Sequence, residues 1–363
     1  MKNHSKLMQN QKKFATSNAE DRGYIEGLNF KVNGVLVDVQ MNEKFPDVVK
    51  LILNNSLAPN DSIIISTPFE VKLPKSFSRL GRVGESYQIT QWYPKPAVYD
   101  KNGWNTMSYL SQGEFFSEFA DYTVKITLPQ NYLVAATGKL TEESFLEEQK
   151  LLNSKISETQ KYLQTYPYKD DKFEFKYPKI PFPEDSKIKK TLVFKEKNVH
   201  DFAWFTDNRW LVTTETVTIP LTQKSVDVYA YFLPENMQNW RHALNFMKKA
   251  LFFYSDEVGI YPYNILTAID GSISAGAGME YPTITIIGEA ENLMQFEEVL
   301  AHEIGHHLSG HTLNNNISNH DIELQADKFF KDFFLVILTN FLSSVNSKKT
   351  SKFISIMKKL LFV

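Results

Sequence analysis

Five consecutive residues, His302-Glu303-Ile304-Gly305-His306, have the types and the spacing that metal-assisted hydrolysis requires. Four residues are slightly more than one helical turn, so on a helix both imidazoles leave one face and reach the same ion. Glu303 is turned about 100° from His302, near enough to touch a water on that ion without being a ligand itself. Two imidazoles and a carboxylate suit zinc, which keeps a fourth position open and lowers the pKa of water there towards about 7. Glu303 is then the general base, taking the water's proton during attack on a carbonyl and passing it to the leaving amine.

The third ligand has to come from beyond the motif. Glu323 follows His306 after sixteen intervening residues, room for a helix end, the polar loop 313–319 and a return helix. Glu323 and Asp327 stand four apart on one helical face, so Glu323 can ligate while Asp327 orients a ligating histidine. His311 and His320 lie in or near this connection and are the alternatives to Glu323. His307 adjoins the motif off the His302/His306 face, a position that suits packing or support of a ligand.

These residues need rigid elements around them. A helix is expected over 293–309, with Asn292 as its cap and Gln295 completing a capping box. Upstream, Met237, Trp240, Leu244, Met247, Leu251 and Tyr254 recur at steps of three and four, which predicts one amphipathic helix over 235–258. Gly259 and Pro262 end it. A strand at 265–269, a glycine-rich turn at 271–278 and a strand at 283–287 follow. Residues 30–138 and 190–233 are written mainly for strands: 121–128 alternates strictly, with Tyr122, Val124, Ile126 and Leu128 on one face. Between these stretches, 141–163 is helical in composition and 166–185 is proline-rich, together an insertion over about 141–188. The fold class is therefore α+β. A β-rich domain, sandwich or saddle, occupies 1–233, a catalytic domain 234–328, and an atypical Phe/Lys/Ser-rich tail 329–363.

Composition narrows the chemistry further. The 363 residues contain no cysteine, which excludes disulfides, thiolate metal sites and a cysteine nucleophile, and leaves eight histidines for any metal centre. A net charge of -2 gives no general attraction to nucleic acid, so no nucleic-acid partner is expected. The first 24 residues are polar and show no secretory signal, and the densest apolar run of the tail, 333–338, is too short to span a bilayer. No transmembrane helix is expected.

Three segments together resemble the aminopeptidase N-like gluzincin family of zinc metallopeptidases. Ala277-Gly278-Met279-Glu280-Tyr281 is similar to its G-A-M-E-N exopeptidase segment, Thr90-Gln91-Trp92-Tyr93-Pro94 to its Thr-Gln segment, and 302–306 to its zinc helix. The resemblance implies a saddle-shaped β-domain joined to a thermolysin-like catalytic domain, one Zn2+ per chain, and peptide substrates with a free N-terminus. It implies that Glu280 binds the substrate α-amine, that the backbone at Ala277 and Gly278 lies along the substrate, and that Gln91 lines the amine pocket. The chain also departs from the family. The family's ligand glutamate, in an N-E-G context, falls two residues after Glu323, where this chain has Gln325, and no tyrosine follows Tyr281 to stabilise an oxyanion. Against the family the chain reads as truncated at both ends. The expected function is zinc-dependent aminopeptidase activity; an inactive remnant that only binds zinc or peptide, and a zinc endopeptidase, are the alternatives.

Overall fold

The computed structural model describes residues 15–45, 47–106, 116–168, 177–220, 222–273 and 277–312, with side chains as far as His307 in the last segment. The fold is α+β. Its described residues fall into two compact units. Those up to Leu151, with Pro181–Arg209 and the short stretch at Ser272, form the first; those of Leu152–Ile180, of Trp210–Gly271 and from Ala277 onward form the second.

The two largest of several antiparallel sheets among the described residues of the first unit hold its core cluster. One runs β4 (Leu133–Ala136), β7 (Trp204–Asp207), β2 (Ser86–Ile89), β1 (Gly81–Val83). The other sets β6 (Lys189–Val199) between β3 (Ala120–Pro129) and β5 (Lys139–Leu140). The alternation read in 121–128 is the one that is built: Ile126 and Leu128 are buried, Tyr122 and Val124 half-buried, and Asp121, Thr123, Lys125 and Thr127 exposed. Val124 faces Phe194 and Ile126 faces Leu192 across the strands, and with Tyr132, Val134, Ala136 and Phe202 they make one core cluster. The helix expected in the insertion is α1 (Glu142–Thr165). Its Glu148 forms a buried ion pair with Lys190 of β6. Burial, the largest influence on both groups, pushes the Glu148 carboxyl up and the Lys190 ammonium down from their ordinary ranges.

The second unit is built on a five-stranded sheet in the order β8 (Leu211–Thr218), β9 (Ser225–Phe232), β10 (Ile265–Asp270), β12 (Ile284–Ile287), β11 (Gly278–Tyr281). The outer pairs are antiparallel, while β9–β10 and β10–β12 are parallel. A parallel pair needs a crossover, and the helix between β9 and β10 supplies it. The sheet thus draws on strands from both sides of Pro234, the point at which the sequence pattern changes from strands to helices.

One helix over 235–258 is not what forms. A 3-10 turn (Pro234–Asn236) and a four-residue helix (Met237–Trp240) come first, and α2 proper is Ala243–Glu257. Two interactions explain the break. Asp270, at the end of β10, accepts hydrogen bonds from the Leu233 amide (2.9 Å) and from Asn236 Nδ2, tying down the start. At Arg241–His242 the chain tightens, with the His242 amide bonded to the Asn239 carbonyl at 3.0 Å. The apolar stripe survives the break: Met237, Trp240, Met247, Leu251 and Tyr254 are all buried. The last described helix, α3 (Leu293–Thr312), starts where expected. The Gln295 amide donates to Asn292 Oδ1 at 2.9 Å, and Gln295 Oε1 accepts from the Glu291 amide at 2.7 Å. Among the described residues no helix is long and apolar enough to cross a membrane.

The buried pair between α1 and β6 makes a testable point about the first unit. Lys190→Met alone strands a buried carboxylate and is expected to lower stability by about 3–5 kcal/mol. Adding Glu148→Leu removes the stranded charge and should restore most of that loss. Urea unfolding midpoints of the single and double variants check it; equal destabilisation in both would refute it.

Candidate metal centre

The histidines of the motif meet as the helical spacing demands. On α3, His302 Nε2 and His306 Nε2 are 3.0 Å apart, with their rings 4.6 Å apart and nearly perpendicular at 81°. Two nitrogens bound to one zinc at about 2.0–2.1 Å in tetrahedral geometry stand about 3.3 Å apart, so the pair fits a single ion. His306 is buried and His302 half-buried. A group of three or more His, Asp or Glu side chains able to hold a metal is not present among the described residues. Glu323, Asp327, Gln325 and His320 lie outside those residues, as do the side chain of His311 and the tail 329–363.

Strand β11 aligns the rest of the site along α3. Met279 and Tyr281 point into the core, which turns Gly278 and Glu280 to the opposite face. Gly278 meets Glu303: a Cβ built on Gly278 would lie 2.3 Å from Glu303 Oε1 and 2.4 Å from its Cδ. The carboxylate of the expected general base therefore occupies the volume that any other side chain at 278 would fill. One step of two along the strand, Glu280 meets His306, its Oε1 3.8 Å from Nδ1. A strand advances about 6.6 Å in two residues and a helix about 4.5 Å in three. Gly278 and Glu280 thus face Glu303 and His306 in turn, although the two advances differ by about 2 Å. Ala277 lies just before the strand, where its carbonyl accepts the Gly288 amide at 2.8 Å.

The turn from β11 to β12 is short and strained. Gly278 pairs with Ile287 and Tyr281 with Ile284, leaving only Pro282 and Thr283 to reverse the chain. Thr283 is fully buried with φ at +68°, a left-handed backbone that a β-branched residue rarely adopts. Its carbonyl accepts the Thr267 amide of β10 at 2.8 Å, which ties the turn to the sheet.

The side of α3 turned towards α2 was not apparent from the motif. A Cβ on Gly305 would lie 2.9 Å from Cζ and from the hydroxyl oxygen of Tyr254, so glycine inside the motif lets the α2 tyrosine lie against the metal helix. Trp240 and Phe246 pack on Phe296 of the same helix at ring separations of 5.0 and 6.3 Å. Tyr261 adds a polar anchor. Its hydroxyl donates to the Ile265 carbonyl at 3.0 Å and stands 3.3 Å from His307 Nδ1. A phenol has one proton, so Nδ1 of His307 is the donor in the second contact. His307 thus ties α3 to the segment after α2. In sequence, Tyr261 was marked only by the Pro262 that follows it.

Gln91 belongs to the first unit. Its φ of +51° is left-handed, and its buried Oε1 has no hydrogen-bond partner there. Thr90, fully buried, and Trp92, whose Nε1 donates to the Phe202 carbonyl at 3.0 Å, flank it. Tyr93 donates to Asp201 at 2.8 Å, and burial, first among several causes, pushes its hydroxyl pKa far up.

No protein-family model matches the chain, and no curated protein does. Among solved structures it is similar to the M1 zinc metallopeptidase from Deinococcus radiodurans, at 14% identity and a TM-score of 0.49, over 79% of this chain and 55% of that one. It is also similar to Legionella pneumophila aminopeptidase A in complex with aspartic acid, at 12% identity and a TM-score of 0.48, over 82% of this chain and 31% of that one. The chain spans about half the length of the first structure and about a third of the second.

Two glycine substitutions separate the faces of α3. Any turnover by this chain should fall roughly 10²-fold in Gly278→Ala through displacement of Glu303, with the fold intact by far-UV circular dichroism. Gly305→Ala should instead lower stability by about 1–3 kcal/mol, because the methyl overpacks Tyr254. A Gly278→Ala protein with undiminished turnover would remove Gly278 from the site.

Proposed function

We propose that the chain is a zinc-dependent metallopeptidase that removes residues from the free N-termini of peptides. The observation that carries this reading is one continuous arrangement: convergent His302 and His306 nitrogens, Glu303 seated against Gly278, and Glu280 beside His306 on the same face. His302 and His306 hold the ion, with Glu323 as third ligand and Asp327 orienting a ligating histidine. Zinc, when bound, polarises the scissile carbonyl and makes water acidic enough to be activated near neutral pH.

The chain's own residues do the rest. Glu303 removes a proton from the attacking water and returns it to the nitrogen of the leaving amine, so the carboxylate is unchanged after each turnover. Burial of Glu303 and its seat on Gly278 hold it in one place and limit competing solvent. Glu280, with a side chain 21% exposed, can receive the α-ammonium of a substrate; a partly buried carboxylate and a cation stabilise each other where neither is well solvated. That requirement selects free N-termini. Among the described residues strand β11 is the last in its sheet and pairs only with β12, which supports a substrate backbone lying along Ala277 and Gly278. Gln91 is assigned to the amine pocket on the resemblance alone.

Three measurements test the reading. The purified chain should bind about one zinc and release amino acids from aminoacyl-anilides, with activity lost to chelators. Glu303→Gln should lower kcat by roughly 10²–10⁴-fold with zinc retained. Glu323→Ala should lose zinc, and Gln325→Ala should keep it. Turnover that survives both Glu303→Gln and chelation would end the proposal. Tight zinc binding without turnover would leave a zinc- and peptide-binding remnant, and cleavage of acetylated peptides as fast as free ones would indicate an endopeptidase.

A further inference from the structure

His306 presents its two nitrogens to different neighbours. Nε2 faces His302 Nε2 at 3.0 Å, which marks it as the nitrogen turned to the ion. Nδ1 faces Glu280, whose Oε1 is 3.8 Å away. A neutral imidazole that gives Nε2 to a metal carries its proton on Nδ1, and that N–H seeks an acceptor; a carboxylate in this place fixes the tautomer and the ring orientation and makes the ligand a better base. At 3.8 Å the contact is longer than a direct hydrogen bond. A shift of about 1 Å in the Glu280 side chain closes it to hydrogen-bond distance, and a partly buried carboxylate at the end of three rotatable bonds has that freedom.

We propose that Glu280 is a positioning residue for the metal ligand His306, holding its Nδ1–H so that Nε2 stays aimed at the ion. The strand geometry gives this contact its specificity. The residue two before Glu280 is the glycine against Glu303, so β11 sets the general base with one position and a metal ligand with the next on the same face. The inference rests on the zinc reading above and adds to it a role for Glu280 that exists before any substrate arrives. A carboxylate that only received a substrate amine would affect the metal affinity of the free protein through its charge alone, so Glu280→Gln and Glu280→Ala would weaken zinc binding equally, and that equality would overturn the positioning role.

The test is zinc affinity of the substrate-free full chain, measured by competition with a fluorescent zinc chelator, for the parent, Glu280→Gln and Glu280→Ala. A glutamine oxygen still accepts from Nδ1–H but without charge, so affinity should fall in the order Glu, Gln, Ala, with Glu280→Ala weaker by 10–100-fold. Stoichiometry should remain one zinc per chain. Far-UV circular dichroism and thermal midpoints identify any variant that fails to fold, and the nearly isosteric Glu280→Gln keeps the question open to decision if Glu280→Ala does so. Parent-like zinc affinity in folded variants overturns this role for Glu280 alone. A parent chain that binds no zinc overturns the proposed function, and this inference with it. The amine-binding role is read separately, from kcat/KM on free against acetylated peptides.

Discussion

The candidate site depends on one close approach, between the backbone of β11 at Gly278 and the carboxylate of Glu303 on α3. Packed interiors leave no spare volume, so the absence of a Cβ at 278 decides whether the Glu303 side chain can lie where it does. Two residues on along the strand and three on along the helix, Glu280 and His306 also face each other. The functional groups of the strand and of the helix therefore meet in two pairs.

Helix α3 is held from its other side with equal economy. Tyr254 of α2 lies against Gly305, and Tyr261 reaches His307 while its own proton goes to the Ile265 carbonyl. The two glycines of this helix–strand–helix layer act in opposite directions, one admitting a reactive side chain and the other admitting a packing one. A helix clamped on both sides cannot rotate about its axis without breaking one of these contacts, and such a rotation would turn His302 and His306 away from the face they share.

What could be read from the sequence was local and periodic. The His-x-x-x-His step required a helix, and Asn292 with Gln295 marked its start, because caps and turns of helix are set by neighbours in the chain. The alternation of 121–128 was equally legible, and the buried positions are the apolar ones. The separate 3-10 start at Pro234–Asn236 was not, because Asp270, far along the chain, grips Leu233 and Asn236. The seat of Glu303 on Gly278 was hidden for the same reason: twenty-five positions separate the two residues, and nothing in either segment declares the contact. The resemblance to known peptidases singled out Gly278 and Glu280, but physical grounds for pairing them with Glu303 and His306 exist only in three dimensions.

The two-residue turn at Pro282 and Thr283 is more than a connection. Loops usually accommodate inserted residues, since their side chains carry no fixed parity. In a strand, sliding by one residue exchanges the two faces. A single residue gained within β11, or a slip against β12 allowed by a longer turn, would present Met279 and Tyr281 to the metal helix and drive Glu280 into the core, with every chemical group of the site still encoded. The strained Thr283 backbone, pinned to β10, thus works as a length standard for the face that carries Gly278 and Glu280. It makes this turn a place where a change in residue count does more harm than a change in residue type.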